Sequence, residues 1–234
     1  MHDETRAFWE RPEVVERFAS REPDARLKDW LSKCERPRSL RVLDIGCAGG
    51  RNAELLAELG CDLHAIDASE AMVRRTRLRV GFVIGEREAA RRIRLGRMEN
   101  LGAFADRSFD LVLALGVYHS APDRHSFELA IAESSRVLDE GGELLLASFA
   151  PGTALEGIPW RPLPEEPGVH VGHESGRHYL LDAADLDELL ARFDLLPVEP
   201  TRTVQAGDES SVRITVNGWY RKGPRGRGVS RRRS

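Results

Sequence analysis

Short apolar runs alternate along the chain with longer stretches in which apolar residues recur every three or four positions. This is the pattern of a parallel sheet whose strands are joined by helices. Arg41 to Ile45 is a short strand running into the small residues Gly46 to Gly50, and GRNAELLAELG then repeats apolar positions at Leu55, Leu56 and Leu59 before Gly60 stops the helix. DLHAID predicts a second strand ending at Asp67, and SEAMVRRTRLRV a second helix opened by a Ser-then-acid signature. A third strand falls near Arg92 to Leu95 and a fourth at FDLVLALG. In DRHSFELAIAESSRVLDEGG, Phe127, Ile131, Ser134 and Leu138 share one helical stripe that ends at the glycines. ELLLASF follows as a buried fifth strand, DAADLDELLARF as a capped helix, and SVRITVNGWYRK alternates like an antiparallel strand.

Two regions break the alternation. Up to about Cys34, Pro12 and Pro23 sit at first-turn positions of two short helices that could close over a site. After the fifth strand, the proline- and glycine-rich stretch beginning APGTALEGIPW is too long for an ordinary connection and reads as a lid or specificity loop. The organisation predicted is one domain over residues 1–222, with an N-terminal helical cap at 1–38 and an insertion at 150–180. A basic, Gly-rich tail at 223–234 is expected to be disordered.

Composition narrows the function classes. The chain has 234 residues, 41% hydrophobic and 31% charged, with a formal net charge of -3, which suits a soluble globular protein and not a generally cationic nucleic-acid binder. Cys34, Cys47 and Cys61 stand apart without a CxxC pair, so no zinc signature is present. No segment approaches membrane-spanning length, and a cytoplasmic protein is expected. His170, His173 and His178 have spacings that could ligate a metal, but histidines in a loop are more often solvated or substrate-facing, and no metal is predicted.

The chemistry concentrates in VLDIGCAGGRN, residues 42–52. In an open parallel sheet, ligands bind beyond the carboxyl ends of the strands where strand order reverses, and the first strand borders that crevice. Gly46, Ala48, Gly49 and Gly50 clear side chains from the loop so that a ligand can touch backbone, while Asp44 leaves a carboxylate at the strand end. Asp67 follows at the spacing from which a carboxylate can grasp both ribose hydroxyls, so a nucleoside is implied. The dinucleotide pattern G-x-G-x-x-G fails because Ala48 and Arg51 hold its second and third glycine positions, and no Gly-Lys-Ser/Thr of a phosphate-binding loop is present. Cys47 reads as a small loop residue whose backbone amide faces the ligand.

The arrangement D-x-G-x-A-x-G followed by Asp67 resembles the first two motifs of class I S-adenosylmethionine-dependent methyltransferases, and RSFDLVLALGVYH with AIAESSRVLDEGGELLLASF is similar to that family's fourth strand, following helix and fifth strand. The resemblance covers roughly Leu40 to Phe149. It implies a three-layer Rossmann-like α/β sandwich whose mostly parallel seven-stranded sheet has an antiparallel last strand, with S-adenosyl-L-methionine as methyl-donating cosubstrate and a small molecule as partner. By the same resemblance, Asp44 and the backbone at Gly46, Cys47 and Ala48 hold the methionine portion, Asp67 binds the ribose, Gly50 and Ala68 also belong to the cofactor site, and Leu115 and Gly116 face the sulfonium. The adenine-binding acid of the family falls on Arg97 in LGRMENL, leaving Met98 to offer an amide and an apolar face and Glu99 to replace the acid. Tyr118 and His119 lie where the family often meets its substrate, and His119 could act as a base or simply cap and pack. Two rival readings stand: an RNA methyltransferase, drawn from the basic tail and the arginines between the second and third strands, and a catalytically inactive nucleoside-binding regulatory protein.

Overall fold

The computed structural model describes residues 7–208 and 211–224. At its centre, β1 (Arg41–Ile45) pairs in parallel with β2 (Asp62–Asp67) on one side, Arg41 opposite Asp62. β3 (Ile93–Leu95) continues the sheet beyond β2, and β4 (Phe109–Leu115) lies on the other side of β1, Val42 opposite Leu111. β5 (Leu138–Phe149) pairs in parallel with β4. The chain therefore winds outward one way through β1, β2 and β3 and the other way through β4 and β5, and the crevice between β1 and β4 is its switch point.

Helices cover both faces. α1 (Pro12–Ala19) and α2 (Ala25–Ser32) precede β1, and α3 (Arg51–Glu58), α4 (Glu70–Ile84) and α5 (Glu86–Arg92) follow it. Val42, Leu63, Leu111, Leu113 and Leu145 point to the side where Leu27, Leu56, Val73 and Val80 of these helices pack. Alternate residues Leu43, Ile45, Val112, Leu144 and Leu146 point the other way, to Phe127 and Ile131 of α6 (Arg124–Val137) and Leu186 and Leu190 of α7 (Ala183–Ala191). The period of two along each strand thus builds the two cores of a three-layer sandwich. Helix starts are set by side chains: Ser69 Oγ accepts the Met72 N–H at 3.1 Å, Asp123 the Ser126 N–H at 2.8 Å and Asp182 the Asp185 N–H at 2.9 Å.

The long segment after β5 is folded. β6 (Ala154–Leu155) and β7 (Ile158–Pro159) form a hairpin attached to the main sheet, and β8 (Arg161–Pro162), β9 (Val169–His173) and β10 (Gly176–Tyr179) form a separate three-stranded antiparallel sheet. β11 (Leu195–Pro197) and β12 (Arg202–Asp208) both pair antiparallel with β13 (Ser211–Lys222), which is itself antiparallel to β5, Trp219 opposite Leu145. The order β3-β2-β1-β4-β5-β13, with β11 and β12 on the far side of β13, gives the expected Rossmann-like α/β architecture and its antiparallel last strand, but β6, β7, β11 and β12 bring the sheet to ten strands and not the seven expected.

Three local expectations are corrected. Leu138 does not extend the α6 stripe: the helix ends at Val137 and Leu138 already pairs with Phe109, so Gly141 and Gly142 fall in an irregularity at the start of β5 and not in a helix stop. Pro23 lies outside its helix, because Asp24 takes the cap by accepting the Arg26 N–H at 3.0 Å. Neither β11 nor β12 follows from the apolar pattern; every residue of β12 is exposed, so nothing selects an inward face. Among the described residues no helix is long and apolar enough to cross a membrane. The expected tail lies almost wholly outside the described residues.

Candidate active site

The carboxyl ends of β1, β2, β4 and β5 open into a cavity of about 700 Å³. Its floor is the loop after β1. The Gly46 and Cys47 N–H groups both donate to the Ile66 carbonyl, at 2.9 and 3.0 Å, tying that loop to the end of β2. Gly49 allows a second approach: a Cβ there would come within 2.4 Å of the Ala19 backbone, so only a glycine lets the end of α1 sit on the loop. Gly50 enters α3 with φ +85°, in the left-handed region where a side chain is costly. It does not line the cavity, which corrects its expected direct contact; it shapes the turn and packs against Thr76.

Asp67 lines the cavity and is held rigidly, one carboxylate oxygen accepting the Ala48 N–H and the other the Ser69 N–H, each at 2.9 Å. Burial nevertheless pushes its pKa up to about 6, with the backbone donors opposing the rise. Asp44 lies behind the lining, 2% exposed, and its Oδ2 has no hydrogen-bond partner among the described residues. Its pKa is pushed up to about 7, by burial first, with nearby Arg51 opposing and Asp67 adding to the rise.

Ala68, Met98, Glu99 and Leu115 line the cavity, as do Gly46, Cys47 and Ala48. Arg97, standing where the resemblance leads to an acid, folds back onto Glu99 in an ion pair of 3.1 Å, so the two share one corner of the wall. Cys47 is buried, and burial pushes its thiol well above the usual range, which makes it a small neutral residue and not a nucleophile.

The structure separates the two residues after β4. His119 lines the cavity, buried beside Phe149 and Trp160, with its Nδ1 accepting the Phe149 N–H at 3.4 Å. Burial holds its pKa well below the usual imidazole value. Tyr118 turns the other way. Fully buried, it sets its hydroxyl 2.5 Å from Ser134 Oγ on α6, and it does not line the cavity; its expected place at the substrate is corrected, because the hydroxyl satisfies the helix behind the sheet.

Further lining residues come from the two regions that break the alternation. α1 and the turn after it bring Arg17, Phe18 and Arg21, the Arg21 guanidinium lying 4.2 Å over the Phe18 ring. The folded insertion brings Trp160, His173, Ser175 and His178. The sequence marks the N-terminal helices as a cap over a site and His173 and His178 as solvated or substrate-facing; Arg17, Phe18, Arg21, Trp160 and Ser175 carry no signal of their own, since their place follows from where α1 and the folded insertion dock. Among the described residues no group of three or more His, Cys, Asp or Glu side chains is placed to hold a metal ion.

Residues 43–146 match the family described as a methyltransferase domain. Ubiquinone biosynthesis O-methyltransferase of Xanthomonas oryzae pv. oryzae is 35% identical over 109 residues, covering 47% of this chain and 43% of its own length. The protein of the same name from Maricaulis maris is 32% identical over 119 residues, covering 49% and 43%. The chain thus spans under half the length of these curated relatives. Over nearly the whole chain the fold is similar to that of magnesium protoporphyrin IX methyltransferase from Synechocystis, solved with bound SAH (TM-score 0.63, 17% identity, 93% of this chain and 98% of that one). It is similar also to 1,6-didemethyltoxoflavin-N1-methyltransferase from Burkholderia thailandensis, solved with 1,6-didemethyltoxoflavin and S-adenosylhomocysteine (TM-score 0.60, 20% identity, 91% and 80%).

Proposed function

We propose that the chain is a class I S-adenosylmethionine-dependent methyltransferase that transfers a methyl group from S-adenosylmethionine to a small-molecule acceptor, a reading supported by the match of residues 43–146 to a methyltransferase domain. One observation carries this reading: a single cavity joins the Gly46–Ala48 loop and Asp67 at the switch point to an aromatic, histidine-rich wall contributed by the insertion.

The residues present fit the donor. Asp44 offers a buried carboxylate oxygen without a partner, which suits an ammonium group. Asp67 offers a fixed acceptor for ribose hydroxyls, and Ile66 and Met98 offer apolar surface to an adenine. When bound, S-adenosylmethionine supplies an electrophilic methyl group and leaves as a neutral thioether. The protein's task is then mostly orientation, which can remove about 7 to 11 kcal/mol of barrier when reactants are well aligned. Phe149 and Trp160 exclude water from the acceptor side. His119 stays neutral through burial, and because its Nδ1 accepts from Phe149 its proton belongs on Nε2, so in this reading it donates to the acceptor and does not deprotonate it. The insertion acts as the specificity lid and α1 with α2 as the cap.

The RNA reading has less support. Arg74, Arg75, Arg79, Arg91 and Arg92, between the second and third strands, each pair with an acidic side chain of the protein.

Calorimetry with S-adenosylhomocysteine tests the donor site: one site per chain is expected, and binding of a nicotinamide dinucleotide in its place would refute the reading. Asp67→Ala should weaken binding at least tenfold, since charge-assisted hydrogen bonds contribute about 1.5 to 3 kcal/mol each; unchanged affinity would remove the ribose role. Labelled methyl transfer to a panel of phenols, amines and thiols tests turnover, and would separate an enzyme from a silent binding protein.

A further inference from the structure

The acceptor wall holds a buried hydrogen-bonded chain that donor binding does not require. Ser175 Oγ lies 2.6 Å from His173 Nδ1 and 3.1 Å from His178 Nε2, and His178 Nδ1 lies 3.3 Å from the His119 carbonyl oxygen. The Ser175 N–H also donates to His173 Nδ1, at 3.1 Å. Ser175 and His178 are 3% and 1% exposed, whereas His173 is half-buried and its Nε2 has no partner among the described residues. All three line the cavity.

Counting protons exposes the chain's character. If both rings are neutral, one arrangement satisfies every side-chain contact: His173 Nδ1–H donates to Ser175 Oγ, Ser175 Oγ–H donates to His178 Nε2, and His178 Nδ1–H donates to the His119 carbonyl. That arrangement leaves His173 Nε2 as a bare acceptor and sets the Ser175 N–H against another N–H. With the His173 proton on Nε2, either the buried His178 Nε2 faces the Ser175 oxygen without a proton between them, or His178 carries its proton on Nε2 and turns a bare Nδ1 to the His119 carbonyl. With one more proton every contact of the chain has a donor and an acceptor: His178 donates from both nitrogens, and the His173 Nδ1 lone pair is shared between the O–H and the N–H of Ser175. The imidazolium so formed is stacked on Trp160 at 4.1 Å and 18°, a placement that favours a cation.

We propose that His173, Ser175 and His178 form a one-proton relay that receives the acceptor's proton, and that the acceptor is accordingly a hydroxyl or N–H group and not a thiolate. The inference rests on the methyl-transfer reading above. As the acceptor's lone pair forms the new bond to the methyl carbon, the S–C bond breaks and its electron pair stays on sulfur. The acceptor's proton passes to His173 Nε2, the Nδ1 proton moves to Ser175 Oγ, and the Ser175 proton moves to His178 Nε2. The cavity begins and ends with one positive charge, carried in by the donor and left on His178, and no further reactant is needed. Trp160 Nε1–H, buried and without a partner among the described residues, is an unused donor beside the relay for a second oxygen on the acceptor. His173 is the catalytic base; Ser175 and His178 act through it.

Burial is the main force opposing the final state. It pulls His178 down to about 4, with His173 and His170 adding to the fall and the His119 carbonyl opposing it. His173 is also lowered by burial, with Glu156 and Glu174 raising it and Arg17 lowering it further. The relay is therefore neutral, and ready to accept, near pH 7. Without coupling through Ser175, the half-buried His173 would be the first ring to be protonated on acidification.

The order of protonation tests this. Long-range ¹H–¹⁵N NMR of the full chain saturated with S-adenosylhomocysteine should find the first added proton on His178, both of whose nitrogens become N–H, while Ser175→Ala should send it to His173. Ser175→Thr, which keeps the hydroxyl, should restore the wild-type order. Wild type protonating His173 first, as Ser175→Ala does, would overturn the relay. In turnover of the panel acceptors, Ser175→Ala should lower kcat at least tenfold with KM little changed. Equal kcat, or methylation confined to thiols, would also overturn it. Calorimetry on the same samples keeps the two readings apart: loss of S-adenosylhomocysteine binding by wild type would sink the proposed function, whereas intact binding with the wrong protonation order would sink only the relay.

Discussion

A carboxyl group whose folded pKa is raised makes the folded state bind more protons than the unfolded chain, so stability must fall as pH rises between the two values. Asp44 is such a group, moving from 3.8 to about 7. Between about pH 4 and 7 it should remove about 1.4 kcal/mol of stability per pH unit, because its carboxylate is buried with an oxygen unpartnered. Asp44→Asn keeps the shape and abolishes the charge. In ligand-free protein it should flatten the decline in urea-unfolding free energy over this range and be the more stable form at pH 8, while binding S-adenosylhomocysteine more weakly. An unchanged slope would mean that Asp44 is solvated or paired in solution. On the proposed reading the same residue shows how a site can cost stability: the empty fold carries a buried carboxylate oxygen that a ligand's ammonium group would satisfy.

At the scale of elements, the approach of α1 to the loop depends on one missing side chain. Gly49→Ala would place a Cβ 2.4 Å from the Ala19 backbone, so α1 must shift away and Val14 and Val15 lose part of their packing against Met72. Limited proteolysis should then cut within the first 40 residues faster than in wild type, with weaker S-adenosylhomocysteine binding, while the sheet retains its circular dichroism. Equal cutting rates would show that α1 docks independently of the loop.

This dependence also marks what could be read from the sequence. The strands at 41–45 and 109–115 were legible because nearly all their residues are buried and mostly apolar, and the one at 62–67 because buried Leu63, Ala65 and Ile66 stand between polar ends. That the loop and Asp67 face the cavity was legible from their order, a run of small residues and then an acid at the ends of two successive strands, since either feature alone is common. Tyr118 was misplaced since its direction depends on whether the turn after β4 aims residue 118 or 119 inward, which adjacency in the sequence cannot decide. The relay was illegible as a relay: His173, Ser175 and His178 meet only because β9 and β10 form a tight antiparallel hairpin. β12 offered no inward face at all.

At the scale of the molecule, the cavity is assembled from α1, the main sheet and the insertion, segments far apart in the chain. A ligand that bridges them should stabilise the whole fold. At a hundredfold excess over Kd, binding to the native state adds about 2.7 kcal/mol, which for a chain of this size raises Tm by roughly 5 to 10 °C. This increment must depend on pH. Asp44 and Asp67 have to be ionised to hold an ammonium group and ribose hydroxyls, and their pKa values stand near 7 and 6 in the empty site, so binding at lower pH must first expel protons. Affinity should therefore weaken as pH falls from 8 to 5, and the Tm increment produced by a fixed concentration of S-adenosylhomocysteine should shrink with it. The ligand-free protein should move the opposite way over the part of this range in which the two carboxylates titrate, because they destabilise the empty fold as they ionise. Differential scanning fluorimetry at pH 5, 6, 7 and 8, with and without ligand, reads both trends at once. An increment that is constant, or that grows on acidification, would remove Asp44 and Asp67 from the binding site together.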